Sequence, residues 1–300
     1  MRVTDKILRT NFLSNLALIS ERLYNAETKV LTNKSINKPS DNPVDTINAL
    51  AIRTRLDEIK QYQRNMSRIK NMILNTETVV TQLSDMFQRV TALVVQGASD
   101  SYGPSDRLSI SNEVNQLLEQ VFNAANTKSE AIYVFGGTNN NIKPYSETRN
   151  AQGDITEVKT YGSGGDIMSV MGEGITVKAN INGEDLFERG DNIFDVLINI
   201  RDDLQSGDSD SLREDLNVVH DVSEKIVNTL AVLGARTNRV EAAETRAINN
   251  EVNFTGFLSD TEDVDAGDAI INYQTELMAL QASLQVGAKL MQPRLIDFLR

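Results

Sequence analysis

The 300-residue chain has no cysteine and no tryptophan, a single histidine and five prolines. Without cysteine there is no disulfide, no thiol nucleophile and no thiolate-bound metal. With His220 as the lone imidazole, a transition-metal centre lacks its usual ligands. On a helix of a bundle such a histidine reads as structural or solvent-facing. No stretch approaches the ~20 apolar residues of a membrane span. The first twenty residues, from Met1 to Ser20, lack the uninterrupted apolar core and small-residue cleavage site of a secretory signal. These absences alone predict a cytoplasmic protein that avoids membranes. An excess of basic charge is also missing: the net charge is −12 and the isoelectric point about 4.7. Nonspecific nucleic-acid binding, which needs Lys and Arg on phosphates, is therefore not expected.

Aromatic residues are few, at 5% of a chain that is 40% hydrophobic. That is lean for a compact core built on rings. It suits an extended helical protein whose seams use Leu, Ile, Val and Ala. The charge is unevenly spread. Residues 1–72 carry 13 Lys/Arg against 7 Asp/Glu, whereas residues 261–300 carry 3 against 6. A basic N-terminal arm and an acidic C-terminal arm could attract each other, or both could be solvated faces contributing ~0–1 kcal/mol per pair.

Between Pro43 and Pro104 no helix breaker occurs, and apolar positions step by four and three: Ile52, Leu56, Ile59, Met66, Ile73, Val80, Leu83, Phe87, Val90 and Val94. Gln63, Lys70 and Thr76 interrupt this heptad seam. A second seam runs from Leu212 through Val219, Ile226, Leu233, Val240 and Ala247 to Leu258, with Ser211 and Glu214 as a capping box at its start. Shorter helices are expected near 106–129 and 192–205, completing a rod-like bundle. The middle differs in kind. Ten of the seventeen glycines fall in 136–190, with alternating stretches at 155–161 and 175–181 separated by turn residues. This predicts a small β-rich insertion.

The two ends mirror each other. Leu16, Ile19, Leu23 and Val30 form one narrow apolar stripe, and Ile270, Tyr273, Leu277, Leu280, Leu284 and Met291 form another. Neither stripe can bury itself, and an isolated helix of this kind is marginal in water. Each needs a partner: the other terminus, a neighbouring subunit, or both. These ten residues are the candidate assembly interface. No residue qualifies as catalytic, cofactor-binding or metal-binding. Asp208-Ser209-Asp210-Ser211 opens like a calcium loop but lacks its glycine and bidentate glutamate, so helix capping is expected there. The glycine-rich 162–165 and 136–138 lead into no Lys-Ser/Thr phosphate grip. The adjacent carboxylates Asp202-Asp203 and Glu262-Asp263 show no sign of converging on a pocket.

Three segments carry a family resemblance. Asn33-Lys34-Ser35-Ile36-Asn37-Lys38-Pro39-Ser40-Asp41-Asn42-Pro43 resembles the turn of bacterial flagellins and their relatives, with Asn42 able to cap and Pro43 able to open a helix. Ile132-Tyr133-Val134-Phe135-Gly136-Gly137-Thr138 resembles the exit from the family's helical domain. Residues 273–284 and Leu295-Ile296-Asp297-Phe298-Leu299 resemble its terminal helix. The first four residues and the last segment are similar to the hook-associated branch of the family rather than to filament subunits. The resemblance implies a mainly α fold, a long coiled-coil or rod-like helical bundle with a small β-rich insertion, α+β overall. It implies terminal coiled-coil assembly arms at 1–43 plus 263–300, a bundle at 44–135 plus 191–262, and an outer insertion at 136–190. It implies a non-enzymatic subunit without cofactor at the junction of hook and filament. Its partners would be hook-associated protein 1, flagellin, further copies of itself in a ring and a flagellar export chaperone, with no nucleic acid and no membrane. It also implies export to the extracellular flagellum without a cleaved signal peptide. The alternatives are a filament flagellin or a generic coiled-coil scaffold.

Overall fold

A computed structural model describes residues 2–162 and 164–290. The chain is mainly helical, with three small two-stranded sheets. In order come α1 (Arg2–Thr32), α2 (Pro43–Gly97), α3 (Pro104–Ala125), β1 (Lys128–Ser129), β2 (Ile132–Tyr133), β3 (Tyr145–Arg149), β4 (Ile155–Thr160), β5 (Met168–Gly172) and β6 (Ile175–Lys178). A π-helical turn (Glu184–Glu188), α4 (Ile193–Ser206), α5 (Ser209–Glu262) and α6 (Ala266–Leu290) follow. Two compact units emerge: Ile59–Asn249, and the chain up to Glu58 together with that from Asn250 onward. Both boundaries fall inside α2 and α5, because those helices run on without a breaker; the β hairpins belong to the Ile59–Asn249 unit.

Within Ile59–Asn249, α2 buries Met66, Ile69, Ile73, Thr76, Val80, Leu83, Phe87, Val90 and Val94, a strict three-four rhythm. The sequence seam is followed except at Lys70, whose place is taken by Ile69. Lys70 sits at the edge and pairs with Glu241 at 3.0 Å and Glu244 at 3.7 Å on α5. Helix α5 buries Leu212, Val219, Val222, Ile226, Leu233, Val240 and Ala247. Its start is set three residues earlier than the capping box at Ser211 predicts. Asp208 Oδ1 accepts from the amides of Asp210 and Ser211, both at 3.1 Å, and Gly207 before it turns with φ +80°. A carboxylate cap also answers the helix dipole, which a serine hydroxyl does not.

Helices α3 and α4 pack against each other, with Val114, Leu118, Val121, Leu197, Ile200 and Leu204 buried. Leu204 lies so close to Gly97 that an added Cβ there would approach it to 2.2 Å. The two alternating stretches of the sequence are strands β4 and β6, each paired antiparallel with the segment before it, β3–β4 and β5–β6. What fixes the β3–β4 hairpin to the helices is a cluster of rings: Phe122 from α3, Phe135, Tyr145 from β3, Phe187 from the π turn and Phe194 from α4. Centroid separations run from 5.1 to 6.5 Å, mostly edge-on. Buried Arg201 completes the join, donating to the Ile155 carbonyl at 2.7 Å and bridging Asp202 at 2.8 Å.

Candidate assembly site

The other unit is built from the chain's ends. Helices α1 and α6 pack side by side. On α1, Leu16, Ile19, Leu23 and Val30 are half-buried, as is Phe12 one turn earlier. On α6 the contact row is Ala269, Tyr273, Glu276, Leu280, Ser283 and Gly287. Tyr273 and Leu280 belong to that row and Leu277 is half-buried beside it, while Ile270 and Leu284 are 47% and 51% exposed. Met291 lies outside the described residues. The row is thus shifted toward small side chains. The reason is close approach: a Cβ at Gly287 would stand 2.2 Å from the Phe12 ring. Arg22 and Glu276 face each other across the pair at 3.8 Å. A groove of about 400 Å³ remains between Phe12, Leu16, Ile19, Ala282, Ser283 and Val286.

Apolar side chains are left over on the outside. Leu8, Leu13, Leu18 and Tyr24 on α1, and Ile271, Met278 and Val286 on α6, are each more than half exposed. A stripe this long has no covering element within the unit's described residues.

The foot of the pair is held by the segment 33–43, the first of the three resemblance motifs. Asn33 turns with φ +55°, and Lys34 forms an antiparallel bridge with Asp263. Ser35 donates its amide to the Glu262 carbonyl at 2.7 Å, and Val264 donates to the Asn33 carbonyl at 3.1 Å. The Glu262 carboxylate, 6% exposed, receives both the Lys34 ammonium and the Arg53 guanidinium. Two cations satisfy one buried carboxylate, which is what burial of such a charge requires. Asp41 accepts the amides of Asn37 at 3.0 Å and Lys38 at 2.9 Å, and these two N–H groups hold its carboxyl below its ordinary range. Asn42 accepts the Asp45 amide at 3.2 Å, so Asn42 caps α2 and Pro43 opens it as the sequence suggests. Asp265 caps α6 through Gly267 at 2.7 Å and Asp268 at 3.2 Å. Sequence reasoning missed Glu262 because its cations lie 228 and 209 positions away.

Chemistry of other kinds finds little purchase. In the Ile59–Asn249 unit, His220, Asp221 and Glu224 bring ligand atoms within 4.8 Å of one another, but all three are exposed. A cleft of about 490 Å³ lies along α5 beside Lys178, Ile181 and Leu186. Its basic groups are committed: Lys225 donates to the Arg189 carbonyl at 2.5 Å and Arg236 to the Asn180 carbonyl at 2.8 Å. Burial pushes both of these below their ordinary pKa values. They act as staples between α5 and the segment that runs from the end of β6 past the π-helical turn.

Long helices from both termini, paired at a motif-bearing foot, define a class. Residues 3–140 match the bacterial flagellin N-terminal helical region. That match spans 138 of the 300 residues, so over its N-terminal helices the chain is similar to flagellins, the structural proteins of the bacterial flagellum. It is similar along most of its length to flagellar hook-associated protein 3 of Escherichia coli K12, 23% identical over 269 residues, covering 84% of this chain and 85% of that one. The crystal structure of Bacillus cereus FlgL superposes with a TM-score of 0.57 at 25% identity, over 70% of this chain and 99% of that one. The flagellar junction protein FlgL of Legionella pneumophila shares the fold, with a TM-score of 0.59 at 15% identity over 73% and 100% of the two chains.

Proposed function

We propose that this chain is a non-catalytic adaptor in the junction between hook and filament. On this reading it is exported without a cleaved signal peptide and assembles outside the cell. The observation that carries the reading is the surplus apolar surface on α1 and α6. Each helix spends one row on the other and keeps a second row facing outward. Burying such rows against neighbours contributes about 25 cal/mol per Å², which is what an assembly surface needs and an independent monomer does not. Heterologous contacts of this type build closed rings or open helical arrays.

The proposed neighbours are further copies of the chain, hook-associated protein 1 on one side and flagellin on the other, with an export chaperone covering the rows beforehand. Leu16, Ile19, Leu23, Val30, Tyr273, Leu277 and Leu280 set the pair, while Ile270, Leu284 and the other exposed apolar residues supply outward contacts. The functional division is arms at 1–43 plus 263–300, a bundle at 44–135 plus 191–262, and an outer insertion at 136–190.

A second reading, a filament flagellin, is favoured by the match of residues 3–140 to the flagellin helical region. Deletion followed by electron microscopy separates the two. The adaptor reading expects hooks without filaments, and labelled protein confined to the hook tip. Label distributed along the filament would overturn it.

A further inference from the structure

Helices α4 and α5 meet at a tight turn. The Asp203 carbonyl accepts from the amides of Gly207 at 3.0 Å and Asp208 at 3.2 Å. Just past the turn, the Asp215 side chain of α5 comes back against the Asp203 side chain of α4, carboxyl to carboxyl. Asp215 Oδ2 is buried and has no hydrogen-bond donor. Two acceptors in contact leave one element missing, a hydrogen between them.

The terminal nitrogens of the basic groups at this end are engaged elsewhere, although Arg107 Nε is buried without an acceptor. Arg107 of α3 donates to the Gly207 carbonyl at 2.9 Å and to Ser209 Oγ at 2.8 Å. Arg213 of α5 pairs with Asp210 at 2.8 Å and faces Asp100, beyond α2, at 3.7 Å. The remaining charged groups facing the pair are Asp202, Asp208 and Glu214, all acidic. Like charges this close cannot both ionise freely.

We propose that Asp203 and Asp215 form a proton-operated clip that closes the α4–α5 turn in mildly acid solution and slackens it toward neutrality. Burial first, then the Asp203 charge, raises Asp215 from 3.8 to about 6; burial and Asp208 raise Asp203 in the same direction. A carboxyl raised on folding contributes stability that is complete below its ordinary value and is lost as pH rises through the folded value. The clip therefore fades from roughly pH 4 upward and is largely gone just above pH 6. Helix α4 carries a second contact of this sign, where burial and Glu157 of β4 raise Asp195.

The test uses the full chain. Thermal unfolding is followed from about pH 4 to about pH 7.5 for the parent, Asp215→Asn and, as a control for general charge, Asp221→Asn. The parent and the control should lose several degrees across this range. Asp215→Asn, which supplies its own donor, should lose clearly less than the parent across the range, the remainder coming from Asp203 and Asp195, and melt above the parent at neutral pH. Parallel slopes for all three would overturn the proposal, as would a control that flattens equally. If Asp215→Asn fails to fold, carboxyl-carbon NMR titration of the parent decides: a midpoint near 6 supports the clip and one near 4 refutes it. If millimolar calcium raises the parent's neutral-pH melting point but not that of Asp215→Asn, a cation fills the gap instead and the proton clip is wrong.

Discussion

Glu262 makes a prediction in which the order of two effects matters more than either size. Its carboxylate is 6% exposed, whereas its partners Lys34 and Arg53 are 37% and 47% exposed. Remove the anion with Glu262→Gln, and both cations can turn into water. The loss is then that of hydrogen bonds to a charged group, about 1–2 kcal/mol. Remove the cations with Lys34→Met and Arg53→Met together, and the carboxylate stays behind, buried and unpaired. That carries the penalty of an uncompensated charge, ~3 kcal/mol at the low end of the range because the rim of the site is wet. The readout is native-state hydrogen exchange at the amides of Ser35 and Val264, which bond across this junction. Exchange should quicken by roughly 5- to 30-fold for Glu262→Gln and by over ~100-fold for the double methionine variant, at 1.36 kcal/mol per decade. If Glu262→Gln proves the more disruptive, the carboxylate is not held by its cations and the reasoning fails.

Three other outcomes are expected. Gly287→Val should force Phe12 off α6 and weaken the α1–α6 pair by about 1–3 kcal/mol, the usual cost of overpacking, visible as faster exchange along α1. Leu23→Asp and Leu280→Asp should each block incorporation into flagella while the unit Ile59–Asn249 keeps its melting transition; loss of that transition would mean the arms are part of its core. Arg201→Leu should release the β3–β4 hairpin from α4, since Arg201 donates to the Ile155 carbonyl and bridges Asp202. It also strips a donor from a buried carbonyl, so denaturant unfolding should show a loss of about 2–4 kcal/mol.

Much of the helical architecture was legible because long helices repeat their apolar positions many times. In α2 and α5 the rhythm recurs over a dozen turns, so a single polar intruder such as Lys70 shifts one position and leaves the seam intact. The α6 register was harder. Two rows compete there, and the larger side chains, Ile270 and Leu284, lie outside the row that α1 contacts. The helices approach where residues are small, at Ala269, Ser283 and Gly287, and a search for hydrophobic bulk passes over them. The buried Glu262 left no local trace, because what makes it tolerable comes from residues far away in sequence. The ring cluster of Phe122, Phe135, Tyr145, Phe187 and Phe194 was likewise scattered over four elements and a loop, each with one ring. The start of α5 was misplaced for a simpler reason: Asp208 outcompetes Ser211 as the cap.

The bridge between Lys34 and Asp263 closes the polypeptide into a loop, with everything between those residues inside it. Closing a loop costs entropy that grows only with the logarithm of its length, so doubling the enclosed chain adds about 0.6 kcal/mol. That is less than one charge-assisted hydrogen bond at the junction. The terminal helices are thus nearly indifferent to how much protein they carry. Hairpins can lengthen or whole modules can be spliced in, for example at the turn of Gly153, where an added Cβ meets nothing. The register of α1 on α6 would then be unchanged, and variation in the cargo becomes thermodynamically cheap for the device that docks it.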